Sequence, residues 1–161
     1  MKTLRFSKWV RWDDRSELDG LKYPGVYALA ISRKNITGQD YAWLKDIVYF
    51  GMTNSEAGLK GRLSQFDNTL RDKRGGGHGG ADRFRYDYEN GDQLAKILYV
   101  SVCPFTCNIP RVIPDDLPVL GRVAMSEYVA FAEYAKRYEG KLPKYNDKKS
   151  PKRSKSRRKA Q

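Results

Sequence analysis

Between Gly25 and Ile31 the chain reads GVYALAI, apolar at nearly every position, the pattern of a strand buried on both faces. Ile47–Met52 (IVYFGM) repeats it, and Lys96–Val102 (KILYVSV) predicts a third such strand. Near the N-terminus, Leu4, Phe6, Lys8, Val10 and Trp12 take every second place, as in an edge strand or an extended arm. Ser32–Asp46, with Asn35 and Gly38, reads as a long hairpin connection. At Gly58 the period changes. Leu59, Leu63, Phe66 and Leu70 fall at i, i+4, i+7 and i+11, one face of a helix running to about Arg74. The glycine run Gly75–Gly80 (GGGHGG) stops it. A polar stretch holding Tyr86 and Tyr88 reads as a connection to the third strand. After a loop with Pro104, Pro110 and Pro114, a second helix is expected from about Leu117 to Tyr138. The order β-β-α-β-α, with no internal repeat, predicts an α+β arrangement of a small sheet with helices packed on it.

Composition bounds this picture. At 161 residues the chain is one domain's length, able to bury an ordinary core without disulfides or a structural metal. Cys103 and Cys107 make no disulfide framework and are two short of a zinc site. No apolar run approaches a membrane span, and Met1–Asp14 mixes charges through its apolar residues, unlike a secretory leader. A soluble chain of a reducing, cytoplasmic compartment with no membrane partner is expected. Thirty-one Lys and Arg against 19 Asp and Glu leave a net charge of +12, which calls for a polyanion. Residues 148–161 (KKSPKRSKSRRKAQ) hold eight of those bases and no acid, so the preceding body carries only +4. We therefore divide the chain into one domain over 1–147, with an N-terminal arm at 1–22, and a disordered basic tail. Within the tail Lys152, Arg153, Arg157 and Arg158 are candidates for non-specific phosphate contact.

Candidate chemistry starts from a misplaced charge. The inward stripe of the last helix reads Leu120, Val123/Ala124, Glu127, Ala130/Phe131, Tyr134. A carboxylate in that stripe is costly to bury alone, so Glu127 is either paired with an internal arginine or aimed at a cleft or a divalent cation. Glu133 lies off the stripe and reads as a solvated charge. Arg62 borders the stripe of the first helix, where a guanidinium either snorkels to solvent or holds a phosphate by two oxygens. Two strands carry a tyrosine beside a glycine, Gly25-Val26-Tyr27 and Tyr49-Phe50-Gly51. Trp9, Trp12 and Trp43 are read as core packing rather than as base-stacking platforms. The glycine run lacks the GK[ST] of a nucleotide P-loop, which argues against a nucleotide cofactor.

In order, Gly25-Val26-Tyr27, Tyr49-Phe50-Gly51, Gly58-Leu59-Lys60-Gly61-Arg62-Leu63, a helix glutamate and Pro143-Lys144-Tyr145-Asn146 resemble the GIY-YIG endonuclease family. The resemblance covers most of residues 23–146. It implies a central three-stranded antiparallel sheet flanked by helices, and a DNA phosphodiesterase using one divalent ion, Mg2+ or Mn2+. Carried onto this chain it makes Tyr27, Tyr49 and Arg62 catalytic, Glu127 the metal ligand, and Gly51, Lys60 and Asn146 substrate-binding, with duplex DNA as the partner. The long spacing to Asn146 favours Glu133 as the ligand instead; helix periodicity favours Glu127, and we follow the periodicity. Four residues after Arg62 the family often carries His or Tyr, and here Phe66 cannot exchange protons. His78, the one histidine, either takes over that role or is an exposed loop residue. Either tyrosine could be the base that takes a proton from the attacking water, with Arg62 and the cation lowering its pKa. A non-catalytic nucleic-acid-binding module of the same fold is the alternative, favoured by Phe66.

Overall fold

The computed structural model describes residues 3–110 and 113–155. Strands β1 (Val10–Arg11), β2 (Gly25–Ile31), β3 (Ile47–Thr53) and β4 (Leu98–Pro104) form one antiparallel sheet in the order β1-β4-β2-β3. The α+β arrangement is as the residue pattern predicts. The sheet has four strands rather than three, because the alternating N-terminal segment adds a two-residue edge strand that pairs Val10 with Val100 and Arg11 with Tyr99. β2 is central, and its register opposes Tyr27 to Gly51 and Leu29 to Tyr49 on β3.

Side chains alternate across a sheet, so the two faces of β2 feed two cores. Tyr27 and Leu29 pack with Tyr49 beneath α1 (Gly58–Leu70), where Leu59, Leu63, Phe66 and Leu70 are all buried. Burying each of those side chains is worth about 2 kcal/mol. Ala28, Ala30 and Phe50 face the other way, onto Ala130 and Tyr134 of α4 (Leu117–Arg137). Trp9 and Trp12 are fully buried, and Trp43 packs on Phe50 and under the Arg137 guanidinium. The tryptophans belong to the core.

The stretch after α1 departs from the residue pattern. α1 ends at Leu70, short of the expected Arg74, because Asp72 adopts a left-handed backbone at φ 55°. Two helices follow where a connection is expected, α2 (Gly79–Asp87) and the short α3 (Gly91–Ala95). α2 starts inside the glycine run. His78 caps it, its Nδ1 accepting from the backbone of Gly80 at 3.1 Å and Ala81 at 3.3 Å. Histidine is not among the usual capping residues, so the start carries no ordinary signal.

Disorder from residue 148 is also corrected, for the segment through Lys155. Arg153 pairs with Asp72 at 2.7 Å and approaches Asp82 at 3.9 Å, and Ser154 donates to Asp82 through both its backbone N–H and its hydroxyl. Composition hides this, since the partners are acids supplied by a different part of the chain. Arg157 and Arg158 lie outside the described residues. Among the described residues, no helix is long and apolar enough to cross a membrane.

Candidate active site

Tyr27 and Tyr49 rise from neighbouring strands on the α1 face, with ring centroids 6.1 Å apart. Each phenol lies where a glycine leaves room. A Cβ on Gly51 would collide with the Tyr27 ring and hydroxyl, and one on Gly80 would come within 2.7 Å of the Tyr49 hydroxyl. Gly51, expected to touch substrate, therefore seats Tyr27. Tyr27 is 0% exposed and Tyr49 8%. Burial raises the pKa of both phenols and outweighs the neighbouring Arg62, whose positive charge pulls both down. The expected net lowering is thus reversed in the protein alone: both phenols are neutral at pH 7.

His78 is 1% exposed, not the open loop residue one of its two readings supposes. Its Nδ1 accepts two backbone N–H groups, so the ring proton resides on Nε2, which donates to the Tyr27 hydroxyl oxygen at 2.9 Å. Burial, then the charges of Arg62, Arg83 and Lys152, bring its pKa down to about 3. A ring held neutral in this way is a fixed hydrogen-bond donor. The proton-exchanging role considered for it does not fit, because neither nitrogen takes up a proton near neutral pH.

Arg62 approaches from α1. Its Nη1 donates to Gln65 at 2.8 Å, while its Nε–H is buried without a partner. Glu127 comes from α4 on the opposite face of the sheet, yet its charge acts on Tyr27 and Tyr49 and is opposed by Arg62. It is half-buried, and among the described residues it has no hydrogen bond or ion pair. Burial accordingly raises its pKa. Glu133 is bound to Lys136 at 2.7 Å and to Arg137 at 2.9 Å. Of the two glutamates only Glu127 presents an unsatisfied carboxylate to the tyrosines.

The other expected site residues lie elsewhere. Asn146 spends both ends of its amide on the backbone of Phe50, accepting from its N–H at 2.8 Å and donating to its carbonyl at 2.7 Å. It braces the edge strand β3 as an added strand residue would. Lys60 is exposed and lines a depression with Asp13, Arg15 and Leu18, away from the tyrosines. Lys152 does come to the site, its Nζ 3.0 Å from where a Cβ on Gly79 would stand. Arg153 is engaged by Asp72 and Asp82. Arg83 of α2 is the residue that sequence reasoning missed. It sits in the stretch read as a connection, where a helical phase could have shown it one turn beyond Gly79.

Tyr27, Tyr49, Arg62, His78 and Glu127 thus converge from two strands, two helices and a cap. No cluster of three or more His, Cys, Asp or Glu side chains is assembled among the described residues. A lone carboxylate still suits magnesium, which keeps several waters and binds through one or two carboxylates plus substrate phosphate. The unpartnered Glu127 is a donor of that kind. The chain matches no protein-family model, and no curated protein or solved structure is significantly similar to it.

Proposed function

We propose that this chain is a metal-dependent DNA endonuclease of the GIY-YIG type, hydrolysing phosphodiester bonds. The observation that carries the reading is a complementary pair of groups whose charges both act on the two phenols: the unpartnered Glu127 carboxylate and Arg62, whose buried Nε–H lacks an acceptor. A buried donor without an acceptor costs roughly 1–3 kcal/mol, and a phosphate oxygen would relieve that cost. Glu127 would hold one Mg2+ or Mn2+, whose chemistry is Lewis-acid stabilisation of the phosphoryl oxygens and electrostatic support for a phenolate. Arg62 would stabilise negative charge growing on the same phosphoryl group.

Tyr49, the phenol with a sliver of exposure, would meet the attacking water and take its proton. Tyr27 would orient it, itself anchored by the Nε2–H of His78. The test is plasmid cleavage in magnesium. Wild type should nick or linearise the plasmid, Glu127→Gln should reduce the rate by 10³-fold or so, and Arg62→Ala by roughly 10²–10³-fold, the scale of losing one charge-stabilising donor. Equal cutting by wild type and both variants would refute the mechanism.

One observation favours a second reading. Neither phenol nor His78 titrates near pH 7 in the protein alone, as expected of a nucleic-acid-binding module that has lost turnover. Metal-independent binding with no nicking by the wild type would select it.

A further inference from the structure

Most arginines around this site are spoken for. Arg71 is bound by Asp67, Asp13 and Asp92, Arg85 by Asp72, and Arg153 by Asp72 and Asp82. Arg83 is different. It is half-buried, its Nε–H is enclosed without a partner, and among the described residues it forms no ion pair or hydrogen bond.

Helical spacing fixes where it stands. Arg83 is three residues after Gly80 and four after Gly79, so the three share a face of α2, and helical side chains lean back toward the N-terminus. Gly80 is the residue packed on the Tyr49 hydroxyl, and Gly79 the one beneath the Lys152 Nζ. Arg83 and Lys152 therefore flank the first turn of α2 on the Tyr49 side, and the charge of each is felt at His78. Lys152, too, has no ion pair or hydrogen bond among the described residues.

A cavity of about 420 Å³ is lined in part by Lys152 together with Gly76, Gly77 and Gly79. Its two acids are already engaged, Asp72 by Arg85 and Arg153, and Asp82 by Ser154 and Arg153. Glycines without side chains let an extended backbone come close. Lys152 at that opening and Arg83 one turn along α2 from Gly79, both unpaired, make a site for an anion separate from the one Arg62 would hold.

We propose that Arg83 and Lys152 together bind a second phosphate of the nucleic-acid strand, so that the backbone runs from Glu127 and Arg62 past Tyr49 onto the glycine-rich loop 75–80. This rests on the nuclease reading for the identity of the polyanion and extends it to the path of the strand. It also gives Lys152, which composition assigns to a non-specific tail, a fixed place in the site.

The test is fluorescence anisotropy of a labelled 20-base-pair duplex in EDTA, over a series of KCl concentrations. Each phosphate neutralised contributes about 0.9 to the slope of log K against log salt. Arg83→Gln with Lys152→Gln should lower the wild-type slope by about 0.9. Adding Arg62→Gln should remove about 0.9 more, as two separate phosphates require. Arg83→Lys with native Lys152 should keep the wild-type slope, since the charge is retained. Lys34→Gln, which removes one charge from the connection on the opposite sheet face, should also leave it unchanged. Thermal melting verifies that each variant is folded. An unchanged slope in the Arg83/Lys152 double variant would overturn the proposal while leaving the nuclease reading standing, and so would no further loss on adding Arg62→Gln. Failure of the wild type to bind duplex DNA at 50 mM KCl, in EDTA or calcium, would remove the nuclease reading and this proposal with it.

Discussion

Glu127 and His78 are titratable groups, one half-buried and one buried, handled in opposite ways. Glu127 keeps an unsatisfied carboxylate, and burial without a cation makes its ionised form unfavourable. Glu127→Gln should therefore raise the melting temperature of the metal-free protein at pH 7.5, measurable by thermal denaturation in EDTA, alongside the slowed cleavage expected of the nuclease reading. A lower melting temperature would mean that the carboxylate has a protein partner. His78 is kept neutral, with a folded pKa of about 3 against an ordinary value near 6.5. Between those values the unfolded chain binds the extra proton, so stability falls as pH falls through this window and is level above it. Denaturant unfolding should show a loss of roughly 2–3 kcal/mol between pH 6.5 and 4.5, at about 1.4 kcal/mol per pH unit. His78→Gln should flatten that dependence. The lowered carboxyls of Asp67, Asp72 and Asp87 also lose stability in acid, but chiefly at and below the ordinary aspartate range, outside most of this window.

Among the elements, β3 and α2 each lend the site an absence. Gly51 on β3 and Gly80 on α2 vacate the volumes that Tyr27 and Tyr49 occupy. Gly51→Ala should displace the Tyr27 phenol from the His78 Nε2, destabilise the fold by about 1–3 kcal/mol as overpacking does, and slow cleavage at saturating DNA. Gly38→Ala is a poor control because of its φ of 77°; Gly121→Ala, on the open face of α4, is a suitable one. Equal stability and cleavage in Gly51→Ala and Gly121→Ala would show that the tyrosine does not need the space. Asn146 acts at this scale too, as a clamp on the edge strand, with both ends of its amide engaged by the backbone of Phe50.

For the molecule as a whole, the C-terminal segment is tied to the elements that carry the candidate site. Residues through Lys155 fasten onto Asp72 and Asp82, the latter in the first turn of the helix that His78 caps. Two truncations should then behave differently. Ending the chain after Lys155 removes Arg157, Arg158 and Lys159, which should weaken DNA binding and flatten its salt dependence with the rate at saturating DNA intact. Ending it after Asp147 should also loosen α2 and lower that saturated rate. If the two shortened chains cleaved equally fast at saturation, the segment 148–155 would be only a source of charge.

By itself the residue pattern determined the strands, the first and last helices, and the choice of Glu127 over Glu133 as the glutamate on the inward stripe, because burial imposes a period that can be read along a chain. It also located Tyr27, Tyr49 and Arg62. Only the tertiary structure decided the rest. α2 escaped notice because its cap is a histidine whose acceptor nitrogen matters only once Tyr27 and Thr69 enclose it. Lys152 was legible only as one base of a cationic run and Arg83 only through a helical phase, and neither pattern shows that they meet at one turn of α2, since a cation is unpaired only relative to neighbours brought in from elsewhere in the chain. The net direction of the phenol pKa values was likewise a contest between burial and Arg62 that no one-dimensional pattern contains.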